Sequence, residues 1–137
     1  MKRHVLDANA LYRFLMGQPG AEIVEGVFQR ARDTGTTLLI SVINWGEVYY
    51  SLALRKGFRE APVVMSQVRL LPLSIVIADE PMTEIAAQIK SGYKLPYADC
   101  FAAALTGRSN VLVTADVKDF KKVPWVKTLA LPAHKGH

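Results

Sequence analysis

Of 137 residues only Cys100 is a cysteine, and neither it nor the three histidines stand at zinc-ligand spacing. An internal disulfide is therefore excluded, and so is a Cys/His zinc centre. The lone thiol lies within an apolar helical pattern, where it reads as a small buried hydrophobe, and a reducing cytoplasm is the expected compartment. Long hydrophobic runs are lacking too. The longest, Leu70 to Ala78, contains Pro72 and Ser74 and is far too short to span a bilayer. After Lys2 and Arg3 only Val5 and Leu6 are apolar before Asp7 intervenes, which is no signal-peptide core. A soluble protein with no membrane attachment is expected. Repeats, low-complexity tracts and interdomain linkers are missing, so one domain over residues 1–137 is expected, with 132–137 as a tail.

What is present is a chain half of whose residues are hydrophobic, enough for a core without covalent staples. Short β-branched or apolar runs at 3–6, 36–42, 73–77, 111–114 and 126–131 read as strands. Between them, helical periodicity covers 10–16, 22–32, 44–54, 60–71, 82–90 and 96–105, with a single turn at 117–120. Asn9 is the expected cap of the first helix. Asn44 with Glu47 three positions on fits a capping box for the third. Strands alternating with helices imply an α/β fold: a three-layer sandwich with a mainly parallel central sheet of about five strands flanked by helices.

In such a sheet every strand delivers its C-terminal end to one edge, where ligands bind. Asp7 follows the first strand and Asp116 the fourth; Glu47 and Asp99 stand near the starts of two helices that this edge can reach. Each has a plainer explanation as a helix cap or as a charge answering a helix dipole. Together, carboxylates packed at one edge repel unless a cation neutralises them, and the donor set points to a hard, oxygen-loving ion, Mg²⁺ or Mn²⁺. The formal charge is +5; if Asp7, Glu47, Asp99, Asp116 and Asp119 share a pocket, the remaining surface sets 17 basic residues against 7 acids. A basic exterior around an acidic pocket suits a polyanion approaching metal, although solubility explains a positive balance equally well.

The segments Asp7-Ala8-Asn9-Ala10-Leu11, Asn44-Trp45-Gly46-Glu47-Val48, Tyr97-Ala98-Asp99-Cys100-Phe101 and Thr114-Ala115-Asp116-Val117-Lys118-Asp119-Phe120, in this order, resemble the PIN-domain nucleases. Within them the chain is most similar to VapC toxins, the ribonuclease half of type II toxin–antitoxin pairs. The resemblance runs from Val5 to about Leu131. It implies a homodimeric, cytoplasmic endoribonuclease that depends on Mg²⁺ or Mn²⁺, acts on an RNA substrate and is restrained by a cognate VapB-like antitoxin. It assigns Asp7, Glu47, Asp99 and Asp116 to the four acidic positions and Asp119 to a less constant fifth. Ala8 departs from the family, many of whose members carry a hydroxyl residue there.

Phosphodiester hydrolysis needs an oxygen nucleophile activated at neutral pH and relief of charge on the phosphate, both of which carboxylate-held divalent metal provides. On this reading Asp7 and Asp99 hold the principal ion, Asp116 completes that site or a second one, and Glu47 acts through water. Asn9 and Thr114 either orient the aspartates and touch substrate or merely cap and terminate elements. Arg13, Lys90, Lys94, Lys118, Lys121 and Lys122 either guide RNA or form a solvated face. Trp45, Tyr49 and Tyr50 either stack bases or pack. A haloacid-dehalogenase-type phosphatase expects aspartate where Asn9 stands, and a receiver domain expects another order of acceptor and lysine. The alternative that stays open is a catalytically silent RNA- or partner-binding module of the same fold.

Overall fold

The computed structural model describes residues 2–133; the tail histidines His134 and His137 lie outside the described residues. Five strands, β1 (His4–Leu6), β2 (Leu38–Ser41), β3 (Leu73–Val76), β4 (Val111–Thr114) and β5 (Lys127–Ala130), form one sheet in the order β3-β2-β1-β4-β5, every pair parallel. Seven helices flank it among the described residues: α1 (Ala8–Met16), α2 (Ala21–Thr34), α3 (Val42–Lys56), α4 (Glu60–Val68), α5 (Glu80–Gly92), α6 (Tyr97–Thr106) and α7 (Val117–Phe120). The expected sandwich is thus present, with a wholly parallel sheet.

Successive side chains on each strand face opposite layers. Leu6, Ile40 and Val113 pack with α1 to α4, whereas their neighbours Val5, Leu39 and Leu112 pack with α5, α6 and Phe120. Both faces are therefore apolar, which is why the strands read as continuous hydrophobic runs. No helix among the described residues is long and apolar enough to cross a membrane.

Two expected caps are displaced. α1 is capped by Asp7, whose carboxylate accepts the Ala10 amide at 2.8 Å, and α3 by Ser41, whose hydroxyl accepts the Ile43 amide at 3.2 Å. In both cases the chain passes from strand to helix with no loop, so the residue at the junction, just past β1 or at the end of β2, is the cap and Asn9 and Asn44 fall inside the helices. α4 stops at Val68, short of the expected Leu71, because Pro72 disfavours helical geometry in the residue before it.

Arg13 is buried at 3% exposure and does not face solvent as an RNA-guiding residue would. Its Nη1 donates to the Pro19 carbonyl at 3.0 Å and to the Pro132 carbonyl at 2.6 Å, so the expected tail is anchored at its first residue. Gly20, at φ 98°, allows this approach; a Cβ there would meet Pro132 Cδ at 3.1 Å. Arg13→Ala strands two carbonyls beneath the α1–α2 turn and is expected to cost about 2–4 kcal/mol in urea unfolding, with Arg13→Lys recovering part of the loss.

Candidate functional site

Because β1, β2 and β4 are adjacent and parallel, their C-terminal ends open onto one edge. Asp7 leaves β1 directly, and Asp116 follows β4 after one intervening residue. Asp99 lies in the first turn of α6. Glu47 occupies the second turn of α3, not the first, since that helix begins at Val42. These four carboxylates, with Asn9, Tyr12 and Ser51, line one cavity of about 490 Å³.

Asp7 is the fixed member. At 3% exposure it accepts from Ala10 on one oxygen and from the Thr114 hydroxyl on the other, at 2.6 Å. It is therefore a helix cap and a wall of the cavity at once. Thr114, fully buried, also accepts the Asp116 amide at 2.9 Å, tying the two aspartates together from beneath; it orients them and does not line the cavity. Asp116 makes no capping hydrogen bond. Asp119 stays outside the lining, where it pairs with Lys122 at 3.5 Å.

In and around the cavity stand residues to which the sequence assigned another role or none. Asn44, read as a cap, is fully buried and donates both to Glu47 Oε1 at 2.9 Å and to the Ala98 carbonyl at 3.2 Å. It thereby joins α3 to the start of α6, beside Asp99. Ser51 and Leu54 stand four and seven positions after Glu47, on the same face of α3, a periodicity that would have placed them here. Trp45 packs against the core with the Arg69 guanidinium 5.3 Å from its ring centre, whereas Tyr50 is exposed at the cavity.

Burial pushes the Asp7 carboxyl up to about 6, against the lowering effect of its bonds from Thr114 and Ala10, with Asp116 and Glu47 adding repulsion. Asp99 rises to about 7, first through burial and then through Asp7, Glu47, Asp116 and Asp119. Among the described residues no three Asp, Glu, His or Cys side chains are arranged to hold a metal ion as they stand. The donor set is nonetheless all oxygen, and the Oδ1 atoms of Asn9 and Asn44 are buried acceptors without a partner. Buried acceptors are rarely left so unless a donor, water or cation meets them, and the all-oxygen lining, with Asn9 among it, fits a hard divalent cation that Asp7, Asp99 and Asp116 would hold.

The family model for the PIN domain matches residues 4–126. The comparison with curated proteins returned no match. Among solved structures, DNA-bound VapBC from Salmonella typhimurium aligns at TM-score 0.78 and 20% identity, covering 95% of this chain and 98% of that one. FitAB bound to an IR36 DNA fragment aligns at TM-score 0.70 and 24% identity, with 98% of each chain covered. Mycobacterium tuberculosis VapC20, a toxin cleaving the sarcin–ricin loop, aligns at TM-score 0.53 and 17% identity over 75% of this chain and 80% of that one.

With its carboxyl raised, Asp99 keeps a proton in the folded state that the unfolded chain releases, so its contribution to stability is full in acid and is lost as pH rises through about 7. Asp99→Asn removes this liability. In EDTA the variant is expected to melt about 2–5 °C above the parent at pH 8, with the gap narrowing as pH falls below about 7 and closing near the ordinary value of 3.8, as followed by circular dichroism.

Proposed function

The chain belongs to the PIN-domain family, and we propose that within it the protein is a metal-dependent endoribonuclease, the single-domain toxin of a type II toxin–antitoxin pair. The observation that carries this reading is the convergence of Asp7, Glu47, Asp99 and Asp116, from four separate elements, on one cavity. VapC20, which shares the fold, cleaves the sarcin–ricin loop, and several other fold relatives are toxin–antitoxin complexes.

Asp7, Asp99 and Asp116 would hold Mg²⁺ or Mn²⁺, with Asp7 as the rigid anchor that Thr114 keeps in register. When bound, the cation supplies a water of lowered pKa and neutralises charge on the scissile phosphate. Glu47, steadied by Asn44, faces the cavity at a position from which it can orient the attacking water. Asp99 must shed its proton before it can ligate, so cation affinity rises with pH toward about 8. Asp119 contributes to the local field but not to the lining, which makes it the weakest of the five acids as a ligand. Asn9, in the cavity lining, has a buried, unpartnered Oδ1 that water or the cation would satisfy.

A homodimer and a cognate VapB-like antitoxin are the partners we propose. Leu54, Phe58, Leu70 and Ile77 are largely exposed, at 84%, 90%, 85% and 69%, and a partner would relieve that exposure. The buried, unpaired Cys100 accords with a cytoplasmic protein. One observation favours a silent RNA- or partner-binding module instead: the carboxylates share a cavity without forming a ready coordination shell among the described residues.

Cleavage of RNA in Mg²⁺ or Mn²⁺ is expected to stop in EDTA and to fall by roughly 100-fold or more in Asp7→Asn and Asp99→Asn, both of which remain folded. Titration calorimetry with Mn²⁺ is expected to show binding that strengthens from pH 6 to pH 8. Cleavage that persists in EDTA, or a protein that takes up no Mn²⁺, overturns the enzyme reading in favour of the silent module.

A further inference from the structure

Both elements that lead away from the acidic cavity on the α6 side carry lysines. α7 follows Asp116, whose carbonyl accepts the amides of Asp119 and Phe120 at 3.1 Å, and together with the turn after it brings Lys118, Lys121 and Lys122 to the surface. The loop before α6 carries Lys94, five positions ahead of Asp99. The two are joined, because Lys122 Nζ donates to the Lys94 carbonyl at 2.9 Å. Beyond this junction the surface turns aromatic: Tyr93 meets Trp125 edge to face at 5.9 Å, and the Arg108 guanidinium lies 5.3 Å from the Trp125 ring centre. Loop residues 90–96, including Lys90, Tyr93 and Lys94, enclose a second cavity of about 520 Å³ with no acidic residue in its wall. Asp119, beside these lysines on α7, is paired with Lys122.

We propose that this ridge is the track on which a single RNA strand lies as it leaves the acidic cavity, with phosphates set against Lys94, Lys118 and Lys121 and an unpaired base against Tyr93 and Trp125. Cations interleaved with aromatic rings are what a single strand requires, whereas a duplex keeps its base faces covered and an apolar protein partner gains nothing from a row of lysines. The lysines answer the cavity as well. Four carboxylates repel phosphate, and a positive approach beside them brings the polyanion within reach of a neutralised site. The track rests on the nuclease reading above for the identity of its ligand.

Fluorescence anisotropy of a labelled single-stranded RNA in EDTA, over a series of salt concentrations, tests it. The triple variant Lys94→Ala, Lys118→Ala, Lys121→Ala is expected to bind about 10-fold or more weakly and to flatten the slope of log affinity against log salt by about 2. Trp125→Leu is expected to weaken binding about 5-fold or more with the slope unchanged. A blunt RNA duplex of equal length is expected to bind less well than the single strand. Thermal unfolding and circular dichroism verify that each variant is folded. If the parent protein binds and cuts RNA while the triple variant keeps its affinity and slope, the track is wrong and the nuclease reading stands; duplex binding as tight as single-strand binding also overturns it. If RNA binding depends on the ridge but no RNA is cut, the track stands and the nuclease reading falls. A parent protein that neither binds nor cuts RNA overturns both.

Discussion

Repulsion among carboxylates at one edge of a parallel sheet is the constraint that the rest of this fold accommodates. Burial raises the cost, since a charge taken out of water is stabilised only by what surrounds it. Asp7 meets that cost with hydrogen bonds from the Ala10 amide and the Thr114 hydroxyl, and Glu47 with one from the Asn44 amide. Asp99 makes no such bond among the described residues and is the carboxyl pushed highest. The cost of the site is thus shared by two side chains, with Asp7 partly relieved by its hydrogen bonds and Asp99, in the first turn of α6, bearing the larger share. An inflexible floor with a responsive wall is an arrangement that a cation can close.

The distribution of charge follows the same logic at longer range. The chain is basic overall, yet four of its 12 acids line one cavity where the strands end. The low-dielectric walls of a cavity concentrate the field within it, while exposed lysines beside it act through water and are screened over about a Debye length. Acidic pocket and basic ridge can therefore lie side by side without cancelling. Arg13 belongs to neither: its guanidinium is buried under a turn and binds two backbone carbonyls, a structural use of charge that a count of basic residues does not distinguish.

Much of this was legible because the signals were local. Apolar runs such as Leu38–Ile40 and Val111–Val113 marked strands buried on both faces, and a carboxylate at the end of β1 and just past β4 marked the shared edge. What the sequence hid depended on contacts between distant segments or on the absence of loops. Asn9 and Asn44 looked like caps because a connecting loop was assumed; the chain instead turns from Leu6 through Asp7, and from Ser41 straight into Val42, which also shifts Glu47 into the second turn. Thr114 was open as a residue orienting the aspartates or merely ending its strand, and only the contact over 107 positions selects Asp7 as its partner; nothing near Asn44 in sequence marked its bond to Ala98. The ridge of Lys94, Lys122 and Trp125 was visible only as scattered basic and aromatic residues until α7 and the loop before α6 came together.

The central strand β1 is the first to be synthesised, but its neighbour β4 comes from the far end of the chain: the hydrogen bond between Thr114 and Asp7 spans 107 positions. A nascent or truncated chain that stops short of β4 lacks both the floor under Asp7 and the carboxylate of Asp116. The site is therefore assembled late and all at once, as expected for contacts of such long sequence separation. An N-terminal fragment ending before β4 carries Asp7, Glu47 and Asp99 but neither Thr114 nor Asp116. The order of elements along the chain thus makes the docking of β4 beside β1 the step that completes the cavity.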